Sequence, residues 1–272
     1  MAAGRPSIKS MHPHILIWII PCTLLGGVLS ALAASLLLLF PERTRAGLLP
    51  SLVSFAVGAL LGAAFLDLLP EAIESAGLER VRGLGLALAI GVLGFFLLEK
   101  FIFWHHSHSG EMHLHAHQDR LRDRAAATLI LIGTGLHNFL DGVLLGASFL
   151  TDIHLGIVLT VAVIAHQVPQ QVGDISVLML AGYRRRRALL LSALSGATMG
   201  LGGIVAWAFL DHARQLIPYV LAVAAASLIY IAVADLIPSL HRHEAARFSV
   251  LPVVVIAAGI ALIYAVEILI SG

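Results

Sequence analysis

The sequence predicts an all-α integral membrane protein, a bundle of eight transmembrane helices that forms a single membrane domain over residues 1–272. The chain is 59% hydrophobic and only 12% charged, whereas soluble domains carry about 25% charged residues. Apolar stretches long enough to cross a bilayer follow one another with short polar segments between them. The alternating pattern of a membrane β-barrel is absent. The single cysteine excludes a disulfide framework, and the scattered basic residues give no reason to expect nucleic-acid binding.

Eight apolar stretches define the predicted spans. In chain order they cover residues 15–40, 48–74, 82–104, 126–150, 153–182, 187–210, 217–240 and 248–270. Since helices satisfy all their backbone hydrogen bonds within lipid, each stretch is predicted to be helical. The sixth span contains Gly196, Gly200, Gly202 and Gly203. Small residues of this kind favour a close approach of neighbouring helices.

The distribution of basic residues predicts the orientation of the chain. Eleven Lys and Arg residues lie in one set of alternate loops, and five lie on the opposite side with the termini. Cytoplasmic loops carry an excess of Lys and Arg, so both termini are predicted to lie outside. The arginine-rich end of the bundle is called the inner end and the opposite one the outer end. The compact loops lead us to expect a cell-membrane location, in a bacterial inner membrane.

The fourth span carries polar residues in its apolar middle. His137 and Asp141 are four residues apart and Asn138 and Asp141 are three apart, so all three share one side of a helix. An ionisable residue at mid-bilayer costs at least about 2.5–3.5 kcal/mol on insertion scales, and such a residue predicts a functional site.

The fifth span carries a second polar group, His166, Gln167, Gln170 and Gln171 around Pro169. Two imidazoles, a carboxylate and amide oxygens suit borderline divalent metals such as zinc, iron, manganese or cobalt, and do not suit copper(I). The alternative is that these residues only hydrogen-bond helices together. Ligand pairs at helical spacing on two spans, near the same depth, favour a metal or proton site.

Further acidic residues lie within the predicted spans. They are interpreted as lining an ion pathway, with helix-end or buried hydrogen-bonding roles as the alternative. These residues are Asp67, Glu71, Asp174, Asp235 and Glu267.

A histidine-rich segment, residues 105–118, joins the third and fourth spans at the inner end. Its histidines are His105, His106, His108, His113, His115 and His117. Such a tract is typical of metal binding, and it is interpreted as an accessory loop that collects metal ions. The alternative is a solvated linker.

These motifs resemble those of the ZIP family of metal transporters. His137, Asn138, Asp141 and Gly142 match the family's fourth-helix motif, and residues 166–174 match its fifth-helix pattern at His166, Pro169, Gly173 and Asp174. The segments 68–72 and 234–238 also resemble family features. The resemblance implies transport of a divalent ion toward the cytoplasm: zinc first, or iron, manganese, cobalt or cadmium. The ion is then a substrate, and neither a resident cofactor nor an enzymatic activity is expected.

The resemblance also implies a mechanism and a ligand set. Spans 1, 4, 5 and 6 would move against spans 2, 3, 7 and 8, an arrangement that the family often adopts as a homodimer. The first metal site would comprise His137, Asp141, His166 and Gln170, and the second Asn138, Asp141, Gln167 and Gln170. However, Gln167 and Gln171 stand where the family pattern has glutamates, and Gln170 where it has a histidine. With Asp141 the one charged ligand, a single occupied site built on His137, Asp141 and His166 is predicted.

Two other functions remain open from the sequence. The glutamine substitutions also fit a metal-binding membrane sensor that does not transport. A membrane zinc hydrolase is the more distant alternative, because no separate nucleophile or base is evident and a protease motif would need Glu and His at positions 167 and 170.

Overall fold

The computed structural model describes residues 13–107, 116–210, 213–238, 240 and 250–271. All regular structure in these residues is helical, as the sequence predicts. Within these ranges eight helices follow one another and are numbered α1 to α8. Their segments are Pro13–Leu24, Leu25–Leu29 and Ser30–Leu37 in α1; Glu42–Gly62, Ala63–Leu68 and Leu69–Ala76 in α2; Val81–Ser107 in α3; Ala116–Thr151 in α4; Ile153–Leu180 in α5; Arg185–Leu210 in α6; Ile217–Tyr230 and Ile231–Leu236 in α7; and Leu251–Ser271 in α8.

Seven of these helices, in the described part of the chain, are long and apolar enough to cross a membrane. In the eighth helix, α4, the side chains before residue 131 lie outside the described residues, and its middle carries His137, Asn138 and Asp141. Since α4 packs along α6 and also contacts α1 and α5, its polar side is enclosed by protein. The predicted all-α membrane fold is therefore confirmed.

The start of α4 differs from the prediction. The helix begins at Ala116, whereas the predicted fourth span begins at residue 126. Residues 116–125 contain Ala, Leu, Gln and Arg, which are strong helix formers, so the helix extends beyond its apolar part. The predicted histidine loop is shortened accordingly, because α3 continues to Ser107.

Three helices contain a π-helical segment, which the sequence did not predict. These segments are Leu25–Leu29 in α1, Ala63–Leu68 in α2 and Ile231–Leu236 in α7. Short π-helical segments are rare and occur frequently at functional sites. Asp67 lies in the second segment and Asp235 in the third.

The most extensive helix contacts form two groups, and α5 contacts both. In one group α4 packs along α6 and α1 contacts α6; in the other α2 packs on α8 and α3 on α7. Helix α5 contacts α1 and α4 of the first group and α2 of the second. Glycine allows the closest contacts of the first group: a Cβ at Gly27 would overlap the Gly196 carbonyl, and one at Gly202 would overlap the Phe139 carbonyl. Helices α1, α4 and α6 are therefore packed backbone against backbone.

Candidate metal centre

A cluster of two histidines and one aspartate lies where α4 and α5 meet in the middle of the bundle. The Nε2 atom of His137 lies 3.4 Å from Oδ2 of Asp141, and Nε2 of His166 lies 3.3 Å from the same oxygen. Asp141 is 0% exposed and His166 is 1% exposed. We call His137, Asp141 and His166 the central cluster. The structure thus brings together the three residues on which the single predicted site is built.

The central cluster holds polar atoms that the surrounding protein does not satisfy. Within the described residues, Nε2 of His137, Nε2 of His166 and Oδ1 of Asp141 are buried and have no hydrogen-bond partner. Nδ1 of His166 lies 3.3 Å from the Ala162 carbonyl oxygen. That carbonyl requires Nδ1 to donate its hydrogen, which leaves the Nε2 lone pair available as a ligand. Buried polar groups are normally paired, so these atoms indicate a missing ligand.

The distances within the central cluster fit a divalent metal. Tetrahedral zinc with ligands at about 2.0–2.1 Å places neighbouring ligand atoms about 3.4 Å apart. The two distances to Asp141 are 3.4 and 3.3 Å, and all three ligand atoms lie within 4.8 Å of one another. Three protein ligands leave a further coordination position open, as in zinc sites that exchange a bound group.

Two side chains of the predicted second site, Gln167 and Asn138, are hydrogen-bonded to each other beside the cluster. Gln167 Nε2 donates to Asn138 Oδ1 and, at 3.4 Å, to Asp141 Oδ2. Asn138 Nδ2 in turn donates to Ser195 Oγ of α6 at 3.3 Å. The Gln167 amide therefore makes hydrogen bonds with two of the oxygens that a second metal ion would need. A glutamate at this position has no such hydrogen to donate.

Gln170 lies apart from these hydrogen bonds. It lines, with His166, a cavity of about 630 Å³ that extends between α2, α5 and α7. Glu42 and Arg45 at the start of α2 and Ser176 near the end of α5 also line it, so the cavity lies toward the inner end. We call this space the inner cavity. It gives His166 access to the inner end of the bundle.

The remaining predicted residues occupy other places. Asp174 is buried on α5, and its Oδ2 atom has no hydrogen-bond partner among the described residues. Asp67, Glu71 and Glu267 line a separate cavity at the outer end. The side chains of Asp235, His105, His106 and His117 lie outside the described residues, as do His108, His113 and His115 entirely.

Sequence reasoning missed two groups of residues. Ser192 donates a hydrogen bond to Oε1 of Gln171, and Ser195 accepts one from Asn138. Their spacing of three residues on the sixth span was an available signal for a polar helix face. At the outer end, Glu74, Asp152 and His154 line the same cavity as Asp67. Asp152 lies between two predicted spans, and Glu74 and His154 lie at the ends of theirs, where polar residues are ordinary and give no signal.

Comparison with known proteins identifies the family. A family model described as ZIP zinc transporter matches residues 15–123 and 104–267. The chain belongs to the ZIP zinc transporter family. The resemblance drawn from the fourth and fifth spans is therefore confirmed, and the chain is a multi-pass membrane protein of a family of transporters, not of enzymes.

Individual zinc transporters show the extent of the similarity. Zinc transporter ZIP13 from Pongo abelii is 31% identical over 264 residues, which cover 89% of this chain and 76% of the relative. Zinc transporter ZIP6 from Homo sapiens is 34% identical over 144 residues, 52% of this chain and 18% of the relative. Zinc transporter ZIP10 from Homo sapiens is 31% identical over 145 residues, 52% of this chain and 17% of the relative. This ZIP protein therefore spans most of ZIP13 but less than a fifth of ZIP6 and ZIP10.

Proposed function

We propose that this ZIP protein carries divalent transition-metal ions, zinc first, across the membrane toward the cytoplasm through the central cluster. The observation that carries the proposal is the convergence of the His137 and His166 Nε2 atoms on Asp141, at 3.4 and 3.3 Å, with neither nitrogen hydrogen-bonded in the described residues. Imidazole and carboxylate ligands also accept iron, manganese, cobalt and cadmium, so selectivity among these ions is expected to be incomplete.

The cavities support transport by alternating access. The inner cavity reaches His166. Toward the outer end the neighbouring residues of α5 and α2 are apolar and buried, among them Ala162, Val163 and Leu68. An ion held by the cluster would therefore leave toward the inner end in this conformation. Entry requires a second conformation in which the helix group α1, α4, α5 and α6 has moved against α2, α3, α7 and α8.

The Gln167 amide supports a single transported ion in the site. Asp141 is the one charged ligand, so a second dication would leave uncompensated positive charge in a low-dielectric place. It would also displace the two hydrogen bonds that Gln167 donates to Asn138 and Asp141. A second site built on Asn138, Asp141, Gln167 and Gln170 is accordingly expected to stay weak or empty.

The same amide supports the second candidate function, a metal-binding sensor that does not transport. A site locked by hydrogen bonds would bind an ion without releasing it across the membrane. Flux and binding measurements distinguish the two, since both functions require metal binding and only one gives flux.

Three further expectations belong to this proposal. The histidine segment is expected to collect ions that have reached the inner end, and a homodimer is expected from the family resemblance. A bacterial inner membrane remains the location predicted from the compact loops. The relatives named above come from animals and give that location no support.

Metal influx into proteoliposomes tests the function. The purified protein is reconstituted with an indicator trapped inside, and zinc, manganese and iron are added in turn. Wild-type protein is expected to give influx, and Asp141→Ala to give none above empty vesicles. Glu79→Ala is the matched control, because Glu79 is an exposed carboxylate at the outer end that lines neither cavity.

Two outcomes would contradict the proposal. Influx that persists in Asp141→Ala would show that the central cluster is not the transport site. Folded wild-type protein that binds these metals but gives no influx with any of them would refute transport and favour the sensor.

A further inference from the structure

A second polar cavity lies at the outer end of the bundle and shares no lining residue with the central cluster. Its volume is about 250 Å³, and α2, α5 and α8 contribute its walls. Val158 lines this cavity and is eight residues before His166 on the same helix. At 1.5 Å per residue the separation along α5 is about 12 Å. The outer cavity is therefore a separate place in the molecule.

The outer cavity concentrates negative charge. Among the described residues its polar lining is Asp67, Glu71, Glu74, Asp152, Glu267 and His154, with no Lys or Arg. Carboxylates from three helices that converge on one concave space focus a negative potential and raise the local concentration of cations. A charge of this kind is energetically unfavourable to assemble unless a cation accompanies it.

Asp67 gives an independent indication of a ligand. Its side chain is 7% exposed, it lines the outer cavity, and its Oδ2 atom has no hydrogen-bond partner in the described part of the chain. The residue lies in the π-helical segment Ala63–Leu68, within the span of α2. A buried carboxylate oxygen without a partner is unfavourable in water-poor surroundings. A cation in the cavity would satisfy it.

The ligands differ in kind from those of the central cluster. Carboxylate oxygens with access to water suit a cation that keeps part of its hydration shell, as manganese does. Such a site binds ions weakly and exchanges them quickly. Weak binding and fast exchange are the properties that a first binding site needs when the ion must pass to a second site.

We propose that the outer cavity is a second cation site, in which Asp67, Glu71 and Glu267 capture a hydrated divalent metal ion before it enters the central cluster. The inference rests on the proposed function for its second half, the passage of the ion to the central cluster. The binding of a cation in the outer cavity does not depend on it.

Manganese binding to a variant that lacks the central site tests the first half. Mn²⁺ alone is titrated into purified full-length Asp141→Ala protein, and free Mn²⁺ is measured by electron paramagnetic resonance. Adding Asp67→Asn to this background is expected to weaken the manganese Kd of the outer site at least tenfold. Adding Glu79→Gln, the matched control, is expected to leave the isotherm within twofold. Identical isotherms for the Asp67→Asn and Glu79→Gln proteins would overturn the inference.

A second variant guards against misfolding. Asp67 is buried, and a loss of binding in a poorly folded protein would be uninformative, so each variant is first compared with its parent by size-exclusion chromatography and circular dichroism. Glu71 is only partly buried and faces the same cavity. If Asp67→Asn fails to fold, Glu71→Gln is expected to weaken the Kd at least threefold. An unchanged Kd in Glu71→Gln would then overturn the inference.

Transport kinetics test the second half in protein with an intact central cluster. Glu71→Gln is expected to raise the KM for zinc influx at least threefold with kcat within twofold, because capture is weakened and translocation is not. A fall in kcat with unchanged KM would indicate a structural role and overturn the capture role. If Asp141→Ala still transports while manganese binding still depends on Asp67, the proposed function fails and the outer cation site stands.

Discussion

The central cluster and the outer cavity hold the same types of chemical group in opposite proportions. The cluster has one carboxylate between two imidazoles, all of it buried or nearly so. The outer cavity has five carboxylates and one imidazole, several of them exposed to solvent. Nitrogen ligands in a dry site distinguish among borderline metals, whereas hydrated carboxylates attract any dication. In the proposed function, capture takes place at the outer end of the bundle and selection among metals in its middle.

The two regions also differ in how the fold supports them. The central side chains project from the middles of α4 and α5, and α4 is held against α6 by the backbone contact at Gly202. The outer side chains lie at helix ends, such as Asp152 before α5, and on a π-helical segment. Ligands on rigid helix middles keep a defined geometry, and ligands at helix ends adapt to a hydrated ion.

The largest expected effect comes from removing one imidazole in each region. His166→Ala is expected to reduce zinc influx at least about 100-fold, since even the partners of metal ligands contribute about 10–100-fold to metal affinity. His154→Ala is expected to reduce it less than about fivefold, because five carboxylates remain in the outer cavity. The measurement is initial zinc influx at low zinc concentration. Equal losses in the two variants would contradict the division between the regions.

The next effect tests whether the central site is limited to one ion. Gln167→Glu removes the amide hydrogens that bind Asn138 and Asp141 and adds a negative charge. We expect one additional zinc ion bound per chain relative to wild type, measured by equilibrium dialysis. Gln171→Glu is the control, because Gln171 pairs with Ser192 of α6 instead of the cluster, and it is expected to add none. An unchanged stoichiometry in Gln167→Glu would mean that the amide does not exclude a second ion.

A smaller effect is expected from salt. Raising the ionic strength from about 0.01 M to about 0.15 M shortens the screening length from about 30 Å to about 8 Å. The outer cavity acts through its field, so the KM for zinc influx is expected to rise about threefold while kcat stays constant. In Glu71→Gln the rise is expected to be smaller. A salt effect on kcat alone would indicate that screening acts on the conformational change.

The smallest effects concern stability and compare one hydrogen bond in each region. Asp152 accepts from the backbone N–H groups of His154 and Leu155, at 2.7 and 3.4 Å, and so caps α5. Asp152→Ala is expected to lower the free energy of unfolding by about 1 kcal/mol, as the loss of other N-caps does. Ser195→Ala removes the hydroxyl that accepts a hydrogen bond from Asn138. It is expected to lower the free energy of unfolding by about 0.6 kcal/mol, the average for a side-chain hydrogen bond inside a membrane helix bundle. Thermal unfolding midpoints of both variants, measured in the same detergent, check which loss is larger. A larger fall in the midpoint of Ser195→Ala than of Asp152→Ala would contradict the prediction.

The sequence was sufficient for the features that depend on periodicity along one helix. The spacing of His137, Asn138 and Asp141 alone places them on one side of a helix. With His166 at a similar depth on the next span, the sequence predicts a metal site between the two helices. Spacing carries no information on which way an amide turns. The pairing of Gln167 with Asn138, and of Gln171 with Ser192, depends on how α4, α5 and α6 pack around them. The outer cavity was foreseen in part, because Asp152 and His154 join Asp67 only through the meeting of helix ends.

The polarity of α4 has a consequence for how this protein is made. The helix that supplies two of the three cluster residues carries His137, Asn138 and Asp141 in its membrane-spanning middle. An ionisable residue at mid-bilayer costs at least about 2.5–3.5 kcal/mol on insertion scales, so the insertion of α4 relies on assembly with its neighbours, α6 above all. A variant that replaces Asp141 by an apolar residue would insert more readily. High yield in such variants therefore measures ease of biogenesis, and it gives no assurance that the transport site has formed.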